Sequence, residues 1–204
     1  MLRTMMVDSE LIGRLHKRGR GRQIVERRYW TADGLVGTSP KFGSVERLPE
    51  VSPPDQKIIS RGRRSTYDRL RRFEAAFPDK QGLIHADLHF GNVLLSEGRM
   101  AAIDFDDCGL GFLAYDLAVP LMSVEARLSK KPRGEFLSFR AALIEGYVRE
   151  STWDDDDEKI LDSLMDARQL AMLGWLNSRS DNPRLRKVFT TAAARAIERF
   201  RDPS

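Results

Sequence analysis

The stretch GLIHADLHFGNVLLSEGRMAAID, residues 82–104, decides how the chain folds. Two of its apolar runs, 92–95 and 100–104, are joined by Ser-Glu-Gly-Arg and predict a β-hairpin, because apolar runs of strand length flank a turn sequence. The first run, Gly82 to His85, predicts a short strand that leads into a loop. The polar residues of the stretch therefore fall in this loop and at the two ends of the hairpin.

Three of these polar residues suit phosphate chemistry. Asp87 lies in the loop, and Asn92 and Asp104 flank the hairpin, whose fold brings them near one another. Amide and carboxylate oxygens are hard ligands, suited to magnesium beside phosphates rather than to zinc. Asp87 is then left to orient a hydroxyl group and accept its proton. Phosphoryl transfer needs these parts: metal ions on the phosphates and a group that aligns the nucleophile.

A transition-metal site is one alternative interpretation of the same residues. His85, Asp87 and His89 alternate, so a strand would place them on one face, where they could hold a metal. This interpretation does not explain Gly91, Asn92 or the second carboxylate cluster at 104–107.

A phosphatase site is the other alternative. The run Ala-Ala-Ile-Asp-Phe-Asp-Asp, residues 101–107, resembles the aspartyl-phosphate site of haloacid-dehalogenase-type phosphatases, with Asp104 or Asp106 as the nucleophile. Those enzymes have a threonine where this chain has Cys108, and their site usually lies much nearer the N-terminus.

The sequence pattern of the rest of the chain predicts helices and one long loop. Apolar periodicity and helix-start signals predict helices at 9–18 (capped by Asp8), 55–77, 115–128, 134–150, 156–179 and 184–200. Asp154 to Asp157 give the helix at 156–179 an acidic start, which suits the positive end of its dipole. Residues 24–54 are rich in Gly, Pro, Ser and Thr and predict an ordered loop anchored by Trp30 and Phe42.

Composition excludes several classes of protein. The 204 residues are 41% hydrophobic and 31% charged, and no apolar run is long enough to span a membrane. Cys108 is the single cysteine, so no internal disulfide forms, which fits the cytoplasm. Residues 1–80 hold 18 Lys and Arg against 10 Asp and Glu. Aromatic side chains are not interleaved with these basic residues, so we do not expect a nucleic acid as partner.

The runs L-I-H-A-D-L-H-F-G-N-V-L-L (83–95) and A-A-I-D-F-D-D-C-G-L-G-F-L-A-Y-D-L-A (101–118) resemble the aminoglycoside phosphotransferase family. This family includes choline- and homoserine-kinase-like enzymes and is related in fold to protein kinases. A weaker similarity covers L-I-G-R-L-H (11–16) and the late helices. The resemblance implies a mostly helical α+β fold, equivalent to the C-terminal lobe of a kinase-like fold, with a small hairpin carrying the catalytic loop.

The resemblance also implies roles for individual residues. Asp87 corresponds to the catalytic base, and Asn92 and Asp104 correspond to the ligands of Mg²⁺. The implied reaction moves the γ-phosphoryl group of ATP, or of another nucleoside triphosphate, to a hydroxyl of a small molecule. That molecule is expected to be aminoglycoside-, choline- or homoserine-like and to bind among the C-terminal helices.

Four further residues are implied to support this site. His85 braces the loop, and Asp116 resembles the helix-start carboxylate that hydrogen-bonds the catalytic loop. Leu94 and Ile103 would lie under the adenine of the nucleotide. We expect one lobe over 1–204, with leading helices and a long loop at 8–80, the catalytic loop and hairpin at 81–112, and C-terminal helices at 113–204.

The family's smaller N-terminal lobe supplies a loop over the phosphates and a lysine that pairs with them. Gly34 to Gly43 is the Gly-rich candidate for that loop, but no lysine-bearing strand pattern follows it. We therefore expect the chain to begin just after the hinge between the lobes, so that the N-terminal lobe is absent from this sequence. Three explanations stay open: a truncated product, a separate partner chain that supplies the lobe, and a non-catalytic, pseudokinase-like binding module.

Overall fold

The computed structural model describes residues 2–20, 28–97 and 99–201, and the fold is mostly helical with two small sheets. The helices are α1 Leu2–Gly19, α2 Ala32–Val36, α3 Pro53–Ala76, α4 Tyr115–Arg127, α5 Arg133–Val148, α6 Asp155–Asn177 and α7 Pro183–Arg201. The strands are β1 Arg28–Trp30, β2 Gln81–Ile84, β3 Val93–Ser96, β4 Arg99–Ala102 and β5 Gly109–Phe112.

The predicted hairpin and the late helices are confirmed. β3 and β4 pair antiparallel, with Val93 opposite Ala102 and Ser96 opposite Arg99. The last four helices lie within two residues of the predicted bounds. The predicted start of α1 is wrong: the helix begins at Leu2, and Asp8 lies inside it rather than capping it. Leu and Met, which fill much of the first turn and a half, have high helix propensity and extend the helix toward the N-terminus.

A three-stranded sheet of order β1–β5–β2 was not predicted. β5 pairs antiparallel with β2 and parallel with β1. Its sequence, Gly-Leu-Gly-Phe, gives little strand signal because two of its residues are glycine. Gly111 is needed there, since a Cβ atom at this position would collide with Trp30 on β1.

Part of the predicted loop at 24–54 is regular, with β1 and α2 inside it, and residues 24–27 lie outside the described residues. The two predicted anchors are confirmed. Trp30 is fully buried and stacks on Tyr115, with ring centroids 5.5 Å apart. Phe42 packs against Trp30 edge-on at 5.4 Å. These ring contacts tie the loop to the start of α4.

Helix α6 is the central element of the core. It packs against α3, α4 and α7, and most of its side chains from Ile160 to Leu176 are buried. Asp154 caps it, because its carboxylate accepts hydrogen bonds from the amides of Asp156 and Asp157 at 3.0 and 3.2 Å. Lys80 binds the carboxylates of Asp154 and Asp157 at 2.5 and 2.7 Å. The helix is therefore fixed in place beside β2 and the loop that follows it.

Within the described ranges, no helix has the length and apolar character needed to cross a bilayer.

Candidate active site

The loop after β2 rests on one buried carboxylate. Asp116, in the first turn of α4, has no exposed surface. Its Oδ2 accepts a hydrogen bond from the amide of His85 at 2.8 Å, and its Oδ1 accepts one from the amide of Ala86 at 2.7 Å. Ala86 has φ 69°, a left-handed conformation that is costly for a residue with a side chain. Asp116 thus fixes the direction in which the loop leaves the sheet.

Two further buried side chains continue this contact away from the loop. His16, near the end of α1, places Nε2 at 3.0 Å from Oδ2 of Asp116. Its Nδ1 lies 2.9 Å from the hydroxyl of Tyr147 on α5. Burial raises the pKa of Tyr147 to about 12. The sequence marked His16 only as part of a weak similarity, and its role was missed, as was that of Tyr147.

His85 connects the loop to the strand that precedes Asp104. Its Nε2–H donates to the carbonyl of Ile103 at 2.9 Å, and its Nδ1 accepts from the amide of Asp87 at 3.4 Å. Both ring nitrogens are therefore taken up by backbone groups. The interpretation of 85–89 as a metal-binding strand is wrong, because the strand ends at Ile84 and the left-handed Ala86 breaks the alternation of faces.

Asp87 is paired with an arginine that sequence reasoning missed. Its Oδ1 accepts from Nη2 of Arg168, a buried side chain in the middle of α6. His89 Nε2 lies 3.7 Å from the other oxygen, Oδ2, and His89 Nδ1 accepts from the amide of Gly91 at 3.0 Å. Arg168 was hidden in the sequence because it interrupts an apolar helix 81 residues away from Asp87.

Asn92 and Asp104 are brought together by the ends of the hairpin. The Nδ2 of Asn92 donates to the carbonyl of Asp87 at 3.0 Å, and the amide of Ile103 donates to the carbonyl of Asn92 at 3.0 Å. Asp104 follows directly with φ 63°. Its exposed carboxylate makes no hydrogen bond or ion pair with the residues that the structure describes.

This donor set fits magnesium. Because Nδ2 of Asn92 is used as a donor, its Oδ1 is the side-chain atom that can serve a cation, and the backbone of Asn92 is bonded to Ile103, which precedes Asp104. Magnesium binds through one or two protein oxygens and completes its shell with water and phosphate oxygens. Over the described part of the chain, no group of three or more His, Cys, Asp or Glu side chains is arranged to hold a metal on its own.

Asp87 and Asp104 open onto one cavity of about 390 Å³. Its walls combine acidic, aromatic and other side chains with one arginine: Phe42, Asp87, His89, Asp104, Asp106, Asp107, Arg168, Met172 and Trp175. The Nζ of Lys41 lies 2.6 Å from Asp107 and 4.5 Å from the ring centroid of Trp30. A larger cavity of about 470 Å³, beside Lys80 and Trp153, contains none of the predicted site residues.

The hairpin presents apolar side chains to solvent on the other side of the site. Leu94 is 53% exposed and Ile103 is 37% exposed, and Leu95 and Phe105 are also exposed, Leu95 on the opposite face of β3 from Leu94.

Comparison with known proteins gives a consistent result. The sequence profile described as the phosphotransferase enzyme family matches residues 42–158. Amicoumacin kinase from Bacillus subtilis (strain 168) is 28% identical over 138 residues, which is 66% of this chain and 41% of that protein.

Solved structures agree with the sequence comparison. A microcompartment-associated aminopropanol kinase superposes with a TM-score of 0.82 at 25% identity, covering 98% of this chain and 62% of that one. An amicoumacin kinase in complex with AMP-PNP, Ca²⁺ and Ami shares the fold, with a TM-score of 0.72 at 20% identity over 97% of this chain and 59% of that one. The chain thus spans less than two thirds of the length of these relatives.

The phosphatase alternative is overturned by these matches and by the local geometry. Asp104 follows the second strand of an antiparallel hairpin and is oriented by a left-handed backbone, and the whole run 101–107 lies inside the family match. This chain belongs to the phosphotransferase enzyme family.

Proposed function

We propose that this chain is the part of a small-molecule kinase that carries the catalytic loop, equivalent to the C-terminal lobe of a kinase-like fold. The proposed reaction is the magnesium-dependent transfer of a γ-phosphoryl group from a nucleoside triphosphate to a hydroxyl. One observation carries the proposal: Asp87 and Asp104 line the same cavity, and Asn92 is hydrogen-bonded between their two segments.

Each of the three residues has a distinct part in this reaction. Asp87 would orient the acceptor hydroxyl and accept its proton. Asn92 and Asp104 would hold magnesium, which when bound neutralises negative charge on the phosphates. Asp116 and His85 would act indirectly by holding the loop, through the hydrogen bonds described above.

The nucleotide base would lie on the apolar face of the hairpin. Leu94 and Ile103 are exposed there, although leucine and isoleucine are usually buried. A flat base covering these side chains would remove apolar surface from water, worth about 25 cal/mol per Å². The phosphates would then point toward Asn92 and Asp104 at the ends of the same hairpin.

The acceptor is proposed to be an alcohol that also carries an amine. Four carboxylates line the cavity beside Phe42 and Trp175, and Arg168 and Lys41 pair with two of them, so the lining keeps a negative charge that, together with the aromatic faces, attracts cations. The relatives act on molecules consistent with this proposal, since one is named an aminopropanol kinase and another an amicoumacin kinase.

Nucleotide binding tests the first half of the proposal. We expect a calorimetric titration of this chain with ATP to show weak binding, with a dissociation constant on the order of 1 mM and dependent on magnesium. Asp104→Ala should abolish that binding while the fold persists, because the Asp104 side chain is exposed. Binding that survives the substitution, or no binding at millimolar ATP, would refute the proposed metal site.

Phosphoryl transfer tests the second half. The chain is incubated with magnesium, ATP and amino alcohols such as aminopropanol, and phosphorylated product is measured by mass spectrometry. We expect product from the unsubstituted chain and none from Asp87→Asn. Magnesium-dependent ATP binding without product from any acceptor would instead identify a non-catalytic nucleotide-binding module.

A further inference from the structure

Arg168 is a buried cation whose position the fold alone does not explain. It lies in the middle of α6 and is 5% exposed, among apolar side chains that form the core. A cation in such a place is strongly destabilising unless a carboxylate compensates it. Among the described residues, Asp87 is the carboxylate that pairs with it. Both partners of this ion pair line the active-site cavity, Asp87 from the loop after β2 and Arg168 from α6.

The geometry of this pair leaves one oxygen of Asp87 for the reaction. Nη2 of Arg168 binds Oδ1 of Asp87, and Nη1 lies 3.5 Å from the carbonyl of Ala86. The planar guanidinium is held at two points, so it fixes the rotation of the carboxylate. Oδ2 is then the oxygen available to a hydroxyl, with His89 Nε2 at 3.7 Å, beyond hydrogen-bond distance.

The charge of Arg168 also matters to a phosphate substrate. An isolated carboxylate in the cavity would repel the arriving phosphoryl group, and in a partly buried site this repulsion is poorly screened. The positive charge of Arg168 compensates the negative charge of Asp87 within the same cavity. Burial raises the pKa of the neighbouring Tyr115, so this hydroxyl stays neutral and does not compete as a counterion.

We propose that Arg168 is a positioning residue: it holds Asp87 by Oδ1, presents Oδ2 to the acceptor hydroxyl, and offsets the carboxylate's charge toward the phosphoryl group. This inference rests on the proposed function of Asp87. It predicts an effect on turnover rather than on nucleotide binding, because Asn92 and Asp104 would hold the metal, whereas Arg168 bonds Asp87 and the carbonyl of Ala86.

Three substitutions separate charge from geometry. Arg168→Met removes both, Arg168→Gln keeps a hydrogen-bond donor without charge, and Arg168→Lys keeps the charge without the planar fork. Arg199→Met is the matched control, because Arg199 pairs with Asp166 and Glu125 at a separate cavity. Each variant is measured for kcat, for KM of the acceptor, for magnesium–ATP affinity and for melting temperature.

We expect Arg168→Met to lower kcat by about 100-fold, the order expected when a reacting group is misplaced by 1 Å. Arg168→Lys should recover part of this loss, while KM and magnesium–ATP affinity change by less than about threefold, a shift under 1 kcal/mol. Arg199→Met should lower the melting temperature without the decrease of about 100-fold in kcat expected for Arg168→Met. Equal losses of kcat in the Arg168→Met and Arg199→Met variants, or a loss confined to ATP affinity, would overturn the inference.

A double-mutant cycle measured by thermal denaturation tests the Asp87–Arg168 pair without any measurement of turnover. Asp87→Ala, Arg168→Met and the double variant are melted, and the double variant should lose less melting temperature than the sum of the single variants. Additive losses would show that the two side chains are not coupled and would overturn the inference. If the unsubstituted chain transfers no phosphoryl group, the proposed function fails, and this cycle still decides whether Arg168 holds Asp87.

Discussion

Two groups of residues frame the site, and they differ in how their carboxylates are satisfied. The buried support consists of His16, His85, Ala86, Asp116 and Tyr147, in which Asp116 is fully buried and accepts hydrogen bonds from three neighbours. The acidic turn consists of residues 104–107, in which the exposed carboxylate of Asp104 has no partner in the described chain.

This difference means that the buried support stabilises the fold, whereas Asp104 in the acidic turn can serve a ligand. The buried support uses its polar groups within the protein, so it holds the loop whether or not a ligand is present. Within the acidic turn, Asp107 is paired with Lys41, whereas Asp104 keeps its charge in water, where it costs the fold little and remains available to a cation. The same residue type therefore serves the fold at position 116 and, by our proposal, the substrate complex at position 104.

The largest expected effect comes from changing the buried carboxylate. Asp116→Asn replaces one acceptor oxygen by an NH₂ group that faces backbone and ring N–H donors. We expect the free energy of unfolding to fall by about 3–5 kcal/mol, the range for breaking a buried charged contact. Urea denaturation followed by circular dichroism measures this loss.

The same substitution in the acidic turn is the control. Asp104→Asn changes an exposed side chain, and asparagine tolerates the left-handed conformation at this position. We expect the free energy of unfolding to change by less than about 0.5 kcal/mol. Similar losses at positions 104 and 116 would contradict the division between support and turn.

A smaller, pH-dependent effect is expected from Tyr147. Its pKa rises from 10.0 to about 12 in the folded protein because the hydroxyl is buried. The folded state therefore keeps a proton that the unfolded state releases above pH 10, and the stabilisation is complete below pH 10 and lost as the pH rises toward 12. Linkage gives about 2–3 kcal/mol for this window.

Tyr147→Phe should flatten this part of the stability curve. At neutral pH we expect the variant to lose about 1 kcal/mol with the hydrogen bond to His16. Between pH 9 and 11, denaturant midpoints should fall less steeply than in the unsubstituted chain, with the remaining slope due in part to Tyr115, whose pKa is also raised by burial. Identical slopes in both proteins would show that Tyr147 is not buried as described.

Local pattern was enough to predict the last four helices, the hairpin and the polar residues of the loop, but not α2 or the start of α1. The hairpin at 93–102 has apolar runs on both sides of a turn, and α6 has an acidic cap followed by apolar periodicity. These signals lie within a few residues of the element that they specify. The region around Asp87, Asn92 and Asp104 was found because its three polar side chains lie within 18 residues of one another.

The missed features depend on contacts between distant parts of the chain. β5 forms because Gly111 lets Trp30 approach, and its own four residues do not indicate a strand. His16 reaches Asp116 from 100 residues away in sequence, and Tyr147 reaches His16 from 131 residues away. Arg168 reads in sequence as a charge on a helix surface, and only the packing of α6 shows that it faces inward to Asp87.

The smallest expected effect concerns the strained residue of the buried support. Ala86 is fully buried with φ 69°, so glycine would relieve about 1 kcal/mol of backbone cost while increasing the entropy of the unfolded chain by a similar amount. Ala118, equally buried in α4, has ordinary helical geometry, where glycine costs about 1 kcal/mol. Ala86→Gly should therefore destabilise the protein by about 1 kcal/mol less than Ala118→Gly in urea denaturation. Equal losses of stability would mean that the left-handed conformation of Ala86 costs no free energy. The loop would then adopt its conformation even without the hydrogen bonds to Asp116.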